Sequence, residues 1–475
     1  MVLHQHRSMQ PEERGDQRLR SHSSTKGMMR SAAGRVFGRP WLDPVASMAL
    51  RRWFFPVSRL WAAAEIARGS PEAYFAAVPC QAQPNQRDRV ITLLSRFERT
   101  RVEAAALDAA WRAAYFPAPG AAADVPSLSE RVALEESRRE AAHRHNTMRR
   151  QFSFLLRADV PRIRHEVPDP ADVAAAYDAA FEDARPFFAP PEAATVEQSR
   201  SVPTAEGRDF WIRFASPSLR LADQVYARVY EPAGLQNPPT LIFGHGICVE
   251  YDQWSGLIDE AAYLCSLGIR VIRPEAAWHG RRRPRGFYGG ERMIATFPSG
   301  SLDLFTGAVR EWAVMADWAR RTSSGPLAFG GSSLGALTAQ LAASRAKDWP
   351  EALRPDALLL ITHCEQLSQV AVEGDLTRMW GGREAFEAKG WSADRITHYL
   401  RLLDPGAELA VRPEKIVTVL GKRDGVTPFA SGAGLVDKWG VPEENRFIWD
   451  RGHFSVPATL LHDQAPLRRF REILS

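Results

Sequence analysis

Cysteine is scarce in this chain of 475 residues: Cys80, Cys248, Cys265 and Cys364 stand far apart, with no CxxC pair and no zinc-ligand spacing. That pattern excludes a disulfide framework and predicts reduced thiols, packed as small hydrophobes, in a reducing compartment. No metal and no cofactor are expected. Long apolar runs are missing as well, since nothing approaches the ~18 residues that span a bilayer. Residues 1–40 are rich in Arg, Ser, His and Gly and lack an apolar core of about 7–15 residues, which argues against a secretory leader. They are expected to form a disordered basic tail, and Met9, Met28, Met29 and Met48 leave the true start of translation open. Lysine is rare beside arginine. The net charge of +5 comes from basic residues interleaved with acidic ones, so no nucleic-acid partner is expected.

What is present suits a globular protein, with 45% hydrophobic and 25% charged residues. The length accommodates one α/β domain plus roughly 200 further residues. Trp41 to about Pro203 reads as Ala-rich helix without a convincing strand, and residues 41–205 are expected to form a helical cap or accessory region. Ile91, Leu94, Phe97 and Val102, then Leu107, Trp111 and Ala114, recur near helical spacing, with breaks at Pro117–Gly120 and Pro161–Pro170. Met48–Trp61 mixes aromatic residues with arginines, as a membrane-surface helix would. The competing reading is a helix packed on the rest of the chain with its arginines in solvent. The expected compartment is the cytoplasm, with peripheral membrane contact through Met48–Trp61 left open.

From about Asp209 the pattern turns to alternating strands and helices, so residues 206–475 are expected to form an α/β domain built on a mostly parallel twisted sheet with helices on both faces. Phe210–Ala215 and Gln224–Tyr230 predict an antiparallel opening pair. Thr240–Phe243, Val271–Arg273, Ala357–Ile361, Ile416–Leu420 and Arg446–Trp449 predict further strands. Helices are expected near Leu257–Leu267, ending at Gly268, and over Leu302–Arg320. A helical insert of about 364–410 falls between the strands that flank 363–412.

Leu327-Ala328-Phe329-Gly330-Gly331-Ser332-Ser333-Leu334-Gly335 reads as a buried strand, a Gly-x-Ser-x-Gly turn and the start of a helix. This is the nucleophile elbow of an α/β-hydrolase. So sharp a turn brings together the backbones two before and two after the nucleophile, and Gly331 and Gly335 supply the small residues around Ser333. Centring the motif on Ser332 would put Leu334 at the crossing. A serine hydroxyl needs a base held by an acid, and in this fold both follow the serine, acid first. Asp424, in Gly421-Lys422-Arg423-Asp424-Gly425, and His453, in Arg451-Gly452-His453-Phe454, stand in that order after strands. Asp450 and Asp375 are the alternative acids. Two backbone N–H donors should stabilise the developing oxyanion: that of Leu334 and one from His245-Gly246-Ile247, with Ile247 the candidate. His245 reads as structural, and Gly246 lets backbone approach substrate closely.

Trp278-His279-Gly280-Arg281-Arg282-Arg283-Pro284-Arg285 follows a predicted strand beside this site. Arg281, Arg282 and Arg283 either bind a phosphate or carboxylate of the substrate or brace the loop against carboxylates such as Glu275 or Asp303. With the Gly331–Gly335 elbow and the Arg451-Gly452-His453 turn, the loop His279-Gly280-Arg281-Arg282-Arg283-Pro284 resembles a group within the α/β-hydrolases, that of alpha/beta hydrolase domain-containing protein 18. The likeness covers about residues 240–345 and 445–475. It implies a serine hydrolase acting on acyl esters of lipids, although the long helical N-terminal half and the Gly-His-Gly-Ile oxyanion loop depart from that group.

The expected activity is cleavage of a carboxylic ester, with a small-molecule or lipid ester as substrate. An amidase or peptidase, a thioesterase, a carbon–carbon bond hydrolase and a non-catalytic binding protein are the alternatives. Trp380, Phe386, Trp391 and Tyr399 in the insert would line an acyl pocket or serve as core. The oligomeric state is not set by the sequence.

Overall fold

The computed structural model describes residues 41–78, 83–117, 126–157, 159–249 and 260–475. The expected basic tail and Cys80 lie outside the described residues, as does the start of the helix expected near Leu257. Among the described residues ten strands form one sheet: β1 (Glu197–Gln198), β2 (Val202–Pro203), β3 (Gly207–Ala215), β4 (Gln224–Pro232), β5 (Thr240–Gly244), β6 (Arg270–Pro274), β7 (Leu327–Ser332), β8 (Ala357–Ile361), β9 (Ile416–Gly421) and β10 (Arg446–Trp449). Their order is β1-β3-β4-β6-β5-β7-β8-β9-β10, with β2 also paired to β3. The β3–β4 and β4–β6 pairs are antiparallel, and every pair from β6 through β5 to β10 is parallel. The short ladders β1 and β2, which the helical reading of residues 41–203 did not foresee, pair antiparallel with the outer strand β3.

Strands β5, β6, β8 and β9 are buried along their whole length. Hence β5, β8 and β9 read as nearly continuous apolar runs rather than as alternation, which is what a sheet covered on both faces requires, whereas β6 carries Arg270 and Arg273, buried beside Glu231 and Glu260. The helices used below are α1 (Leu42–Ala49), α2 (Phe55–Ala67), α3 (Pro84–Tyr115), α4 (Leu128–Thr147), α5 (Glu260–Ser266), α6 (Ser299–Thr322), α7 (Leu334–Arg345), α8 (Ser455–Leu460) and α9 (Ala465–Ile473). One face of the sheet carries the larger core, with α6, α7 and the insert packed on Ile242, Phe329, Leu358 and Leu360. On the other face α5 and α9 pack on Leu241, Val271, Leu359 and Val417. Gly268 ends the turn after α5 at φ +79°, the left-handed conformation expected there.

In the N-terminal region a π-helical turn, Leu50–Phe54, joins α1 to α2 just ahead of Pro56. The wider turn accommodates a residue with no N–H to give. Helix α2, including Phe55–Trp61, is buried along nearly its full length. Met48, Ala49, Arg51, Arg52 and Trp53 are the exposed part of the stretch Met48–Trp61. Among the described residues no helix is long and apolar enough to cross a membrane. The inner face of α3 runs through Val90, Leu93, Leu94, Phe97 and Trp111, while Ile91 and Val102 are exposed. The helix was expected, and Leu94, Phe97 and Trp111 of the expected face are buried, whereas at Ile91 the neighbouring Val90 is buried instead. The insert is helical at Asp375–Trp380, Arg383–Ala388 and Ala393–Leu400. Its aromatic residues pack as core: Phe386, Trp391 and Tyr399 are buried, the Trp391 indole donates to Pro168 O, and Trp380 meets Phe55 edge-on.

Candidate active site

Strand order reverses at β5, whose neighbours are β6 and β7. Connections leaving β5 and β7 therefore part to opposite faces, and a crevice opens beyond their C-terminal ends. Ser333 stands at that point, between β7 and α7, at φ 54° and ψ −118°. A residue with a side chain holds so rare a conformation only where its surroundings impose it. Packing imposes it here: a Cβ on Gly331 would lie 2.3 Å from the Gly335 carbonyl carbon, and one on Gly335 would lie 2.1 Å from Gly244. The two elbow glycines thus cross as their spacing implied. Gly244, level with Gly331 on β5, is a third partner that the serine motif alone did not reveal.

His453 Nε2 lies 3.0 Å from Ser333 Oγ, and His453 Nδ1 lies 2.8 Å from Asp424 Oδ2. All three come from loops at C-terminal strand ends, and Asp424 and His453 are buried. The loop around Asp424 is built to hold one orientation. Oδ1 accepts the Val426 and Thr427 N–H groups at 2.9 and 2.8 Å, and Oδ2 accepts the Thr427 hydroxyl at 2.8 Å. Thr427 was not singled out from the sequence, though its position three residues after the aspartate of an Asp-Gly pair is a known signal of side-chain-to-backbone turns. Neither alternative acid bonds His453: Asp450 is exposed and paired with Arg423, and Asp375, packed against Gly425, is paired with Arg378.

The loop after β5 passes beside the serine, where a Cβ on Gly246 would sit 3.7 Å from Ser333 Cβ. Leu334 begins α7, so its N–H has no acceptor within the helix. Ile247 follows in a turn that Gly246 O closes by accepting the Val249 N–H. Two buried imidazoles fix this loop. His245 Nδ1 donates to Gly246 O at 2.7 Å while its Nε2 accepts the Ala276 N–H. His279 Nδ1 donates to Ala277 O while its Nε2 accepts the Cys248 N–H at 3.1 Å. Both rings accept a backbone proton and must be neutral to do so. His279 is the residue that sequence reasoning passed over, having been read only as part of the arginine loop.

Burial pushes His279 down to about 4 and His245 well below its usual value, the latter also repelled by His279. Burial likewise pushes His363, behind Asp424, down to about 4. Unfolded histidines take up protons near 6.5, whereas these do not until far lower, so between those values the unfolded chain binds more protons. Stability is therefore full above about pH 6.5 and falls on acidification toward pH 4, by about 3 kcal/mol each for His279 and His363. Asp404, pushed up to about 6 by burial, opposes this over part of the range but offsets only one such group. Urea midpoints should fall steeply from pH 7 to pH 4.5. A flat profile would show that these rings are not held neutral.

The three arginines after His279 are each paired with carboxylates of the chain itself. Arg281 lies 2.7 Å from Glu275 and 3.4 Å from Asp108, with its guanidinium over Trp111 and Trp211. Arg282 bonds Asp223 and, through both terminal nitrogens, Glu311, at 2.7–3.0 Å. Arg283 bonds Glu65 of α2 and lies over Trp61. That pairing holds the Glu65 carboxyl at about 2 although burial alone would raise it. Of the partners weighed from the sequence, Glu275 is used; Asp303 instead accepts from the Tyr177 hydroxyl. These contacts join the loop to α3 and α2 through Asp108 and Glu65, to α6 through Glu311 and to the residue ahead of β4 through Asp223.

No protein-family model matches the sequence, and no curated protein does. Solved structures similar to the chain include a cold-adapted esterase from an Arctic intertidal metagenomic library, at 18% identity over 58% of this chain and 98% of that one, with a TM-score of 0.37. Acetyl xylan esterase 1 from Thermoanaerobacterium sp. JW/SL YS485 is 14% identical over 65% of this chain and 96% of that one, with a TM-score of 0.43. An S-formylglutathione hydrolase from Agrobacterium tumefaciens is 17% identical over 58% and 99%, with a TM-score of 0.40. The strand order, the reversal at β5 and the serine turn between β7 and α7 define the architecture of this chain as the α/β-hydrolase fold.

Proposed function

We propose that this chain is a serine hydrolase of carboxylic esters. The observation that carries the reading is the Ser333–His453–Asp424 contact chain, with 3.0 Å from hydroxyl to imidazole and 2.8 Å from imidazole to carboxylate. Ser333 Oγ attacks the carbonyl carbon while its proton passes to His453 Nε2, and the Asp424 carboxylate stabilises the imidazolium. The oxyanion is held by the Leu334 and Ile247 N–H groups, in a loop whose position His245 and Gly246 set. Collapse of the tetrahedral adduct expels the alkoxide, which takes the proton from His453 and leaves as the alcohol. Water then gives a proton to His453 and attacks the acyl-serine, and Ser333 recovers its proton as the acid departs. Side chains and water thus account for every bond and proton.

A fluorophosphonate probe tests the reading: the folded protein should be labelled at Ser333, and Ser333→Ala should not be labelled. Folded wild-type protein that resists the probe would overturn it in favour of a binding protein. A panel of p-nitrophenyl esters of rising chain length, with an aminoacyl amide and a thioester beside it, separates ester cleavage from the amidase and thioesterase chemistries that share the acyl-enzyme.

A further inference from the structure

The loop that carries His453 is held from the opposite end of the chain. Asp43, on α1, accepts the Phe454 N–H at 2.7 Å through Oδ1 and the Ser455 hydroxyl through Oδ2. The Ser455 hydroxyl oxygen in turn accepts the Gly452 N–H at 2.9 Å. Both peptide neighbours of His453 are thereby fixed, one directly and one through Ser455, by a carboxylate 411 positions away in sequence. The fit is close: a Cβ on Gly452 would lie 2.3 Å from the Asp43 carboxyl carbon, so only glycine admits this side chain. On its other side the loop is tied to the segment leading into Asp424, where the Lys422 and Arg423 N–H groups donate to Trp449 O and Arg451 O at 2.8 and 2.9 Å. Asp43 closes the remaining side. Its own element cannot slip away freely, because α2, which continues α1, is pinned by the Arg59 bond to Glu291 at 2.7 Å and by Glu65 with Arg283.

We infer that Asp43 is a positioning residue for the His453 imidazole, so that the N-terminal helical region is part of the catalytic machinery and not only a cover. This rests on the hydrolase reading above. Charge-assisted bonds to backbone N–H are among the stronger ones, and displacement of a catalytic base by about 1 Å can cost about 10²-fold in rate. The expected signature is a loss of turnover with binding intact, since the bonds of Asp43 go to the backbone and the Ser455 hydroxyl of the His453 loop.

The test is ester turnover by the full chain, with active serines titrated by the fluorophosphonate probe so that misfolded protein is not counted. Asp43→Ala should lower kcat per titrated serine by about 10- to 100-fold with KM within about twofold. Asp43→Asn keeps an oxygen for the Phe454 N–H and an amide that the Ser455 hydroxyl can accept, so it should stay within about fivefold of wild type. If Asp43→Ala yields no folded protein, Ser455→Ala removes the link to Gly452 and should lower kcat by about tenfold. A thermal midpoint that drops in Asp43→Ala while kcat per serine stays within twofold would make Asp43 merely structural and overturn the inference, as would an unchanged kcat in Ser455→Ala. Wild-type protein with neither labelling nor turnover would instead fail the hydrolase reading itself.

Discussion

Asp424→Asn is expected to hydrolyse a p-nitrophenyl ester about 10⁴-fold more slowly than wild type, with its fold intact. The size of the loss follows from what surrounds the carboxylate. Oδ1 already accepts two backbone N–H groups, from Val426 and Thr427, and an amide nitrogen placed there would meet two donors. The asparagine must therefore leave its oxygen in that position and aim its NH₂ at the place of Oδ2, toward His453 Nδ1. That nitrogen would then accept instead of donating, the ring proton would move to Nε2, and Nε2 could no longer take the proton of Ser333. Were the backbone donors absent, the amide could flip and the defect would be milder. The measurement is kcat per fluorophosphonate-titrated serine, beside a urea midpoint within about 1 kcal/mol of wild type. A decrease of less than about tenfold would mean that Asp424 does not set the tautomer of His453.

How much of this was legible in the sequence depended on how far each signal had to reach. The strand Ala357–Ile361 was read with its observed limits, because a strand buried on both faces leaves a compact apolar run between polar breaks. The Ser333 turn was legible because two glycines are a steric requirement that sequence displays directly. Asp424 and His453 were legible because their order along the chain follows from the sheet. Features that depend on distant partners were hidden. Asp43 reads as an ordinary acidic residue near a helix start until the Phe454 backbone is placed beside it, and Gly244 reads as a strand end until Gly335 crosses it. A one-residue slip at Ile91 against Val90 arose because α3 is rich in alanine and arginine, which mark no face strongly. The arginines 281–283 look the same in sequence whether they await an anion or meet Asp223, Glu311 and Glu65, which lie up to 218 positions away.

Arg282→Met should decide between those two readings of the loop, and its expected effect is on stability. The Arg282 side chain is 1% exposed and the Glu311 side chain 3% exposed, so the substitution leaves a buried carboxylate facing a thioether. Removing one partner of a buried pair costs about 3–5 kcal/mol, because the other must be desolvated without compensation or take up a proton. Asp223, at 31% exposure, can turn to water and adds less. Arg282→Met with Glu311→Leu should recover most of the loss, since an apolar pair of similar volume carries no stranded charge; the Ser216 hydroxyl, which donates to Glu311, then needs another acceptor, so recovery stops short of wild type. Residual turnover of the single variant, measured per titrated serine, should fall by the same factor on neutral and on anionic esters. An unchanged urea midpoint with selective loss of anionic substrates would mean that the guanidinium meets the substrate, and the bracing role would be wrong. The contacts favour bracing for a further reason: Glu311 lies on α6, Asp223 just ahead of β4 and Glu65 on α2, so the arginine loop ties the N-terminal helices and the opening strands to the helix that precedes the serine strand.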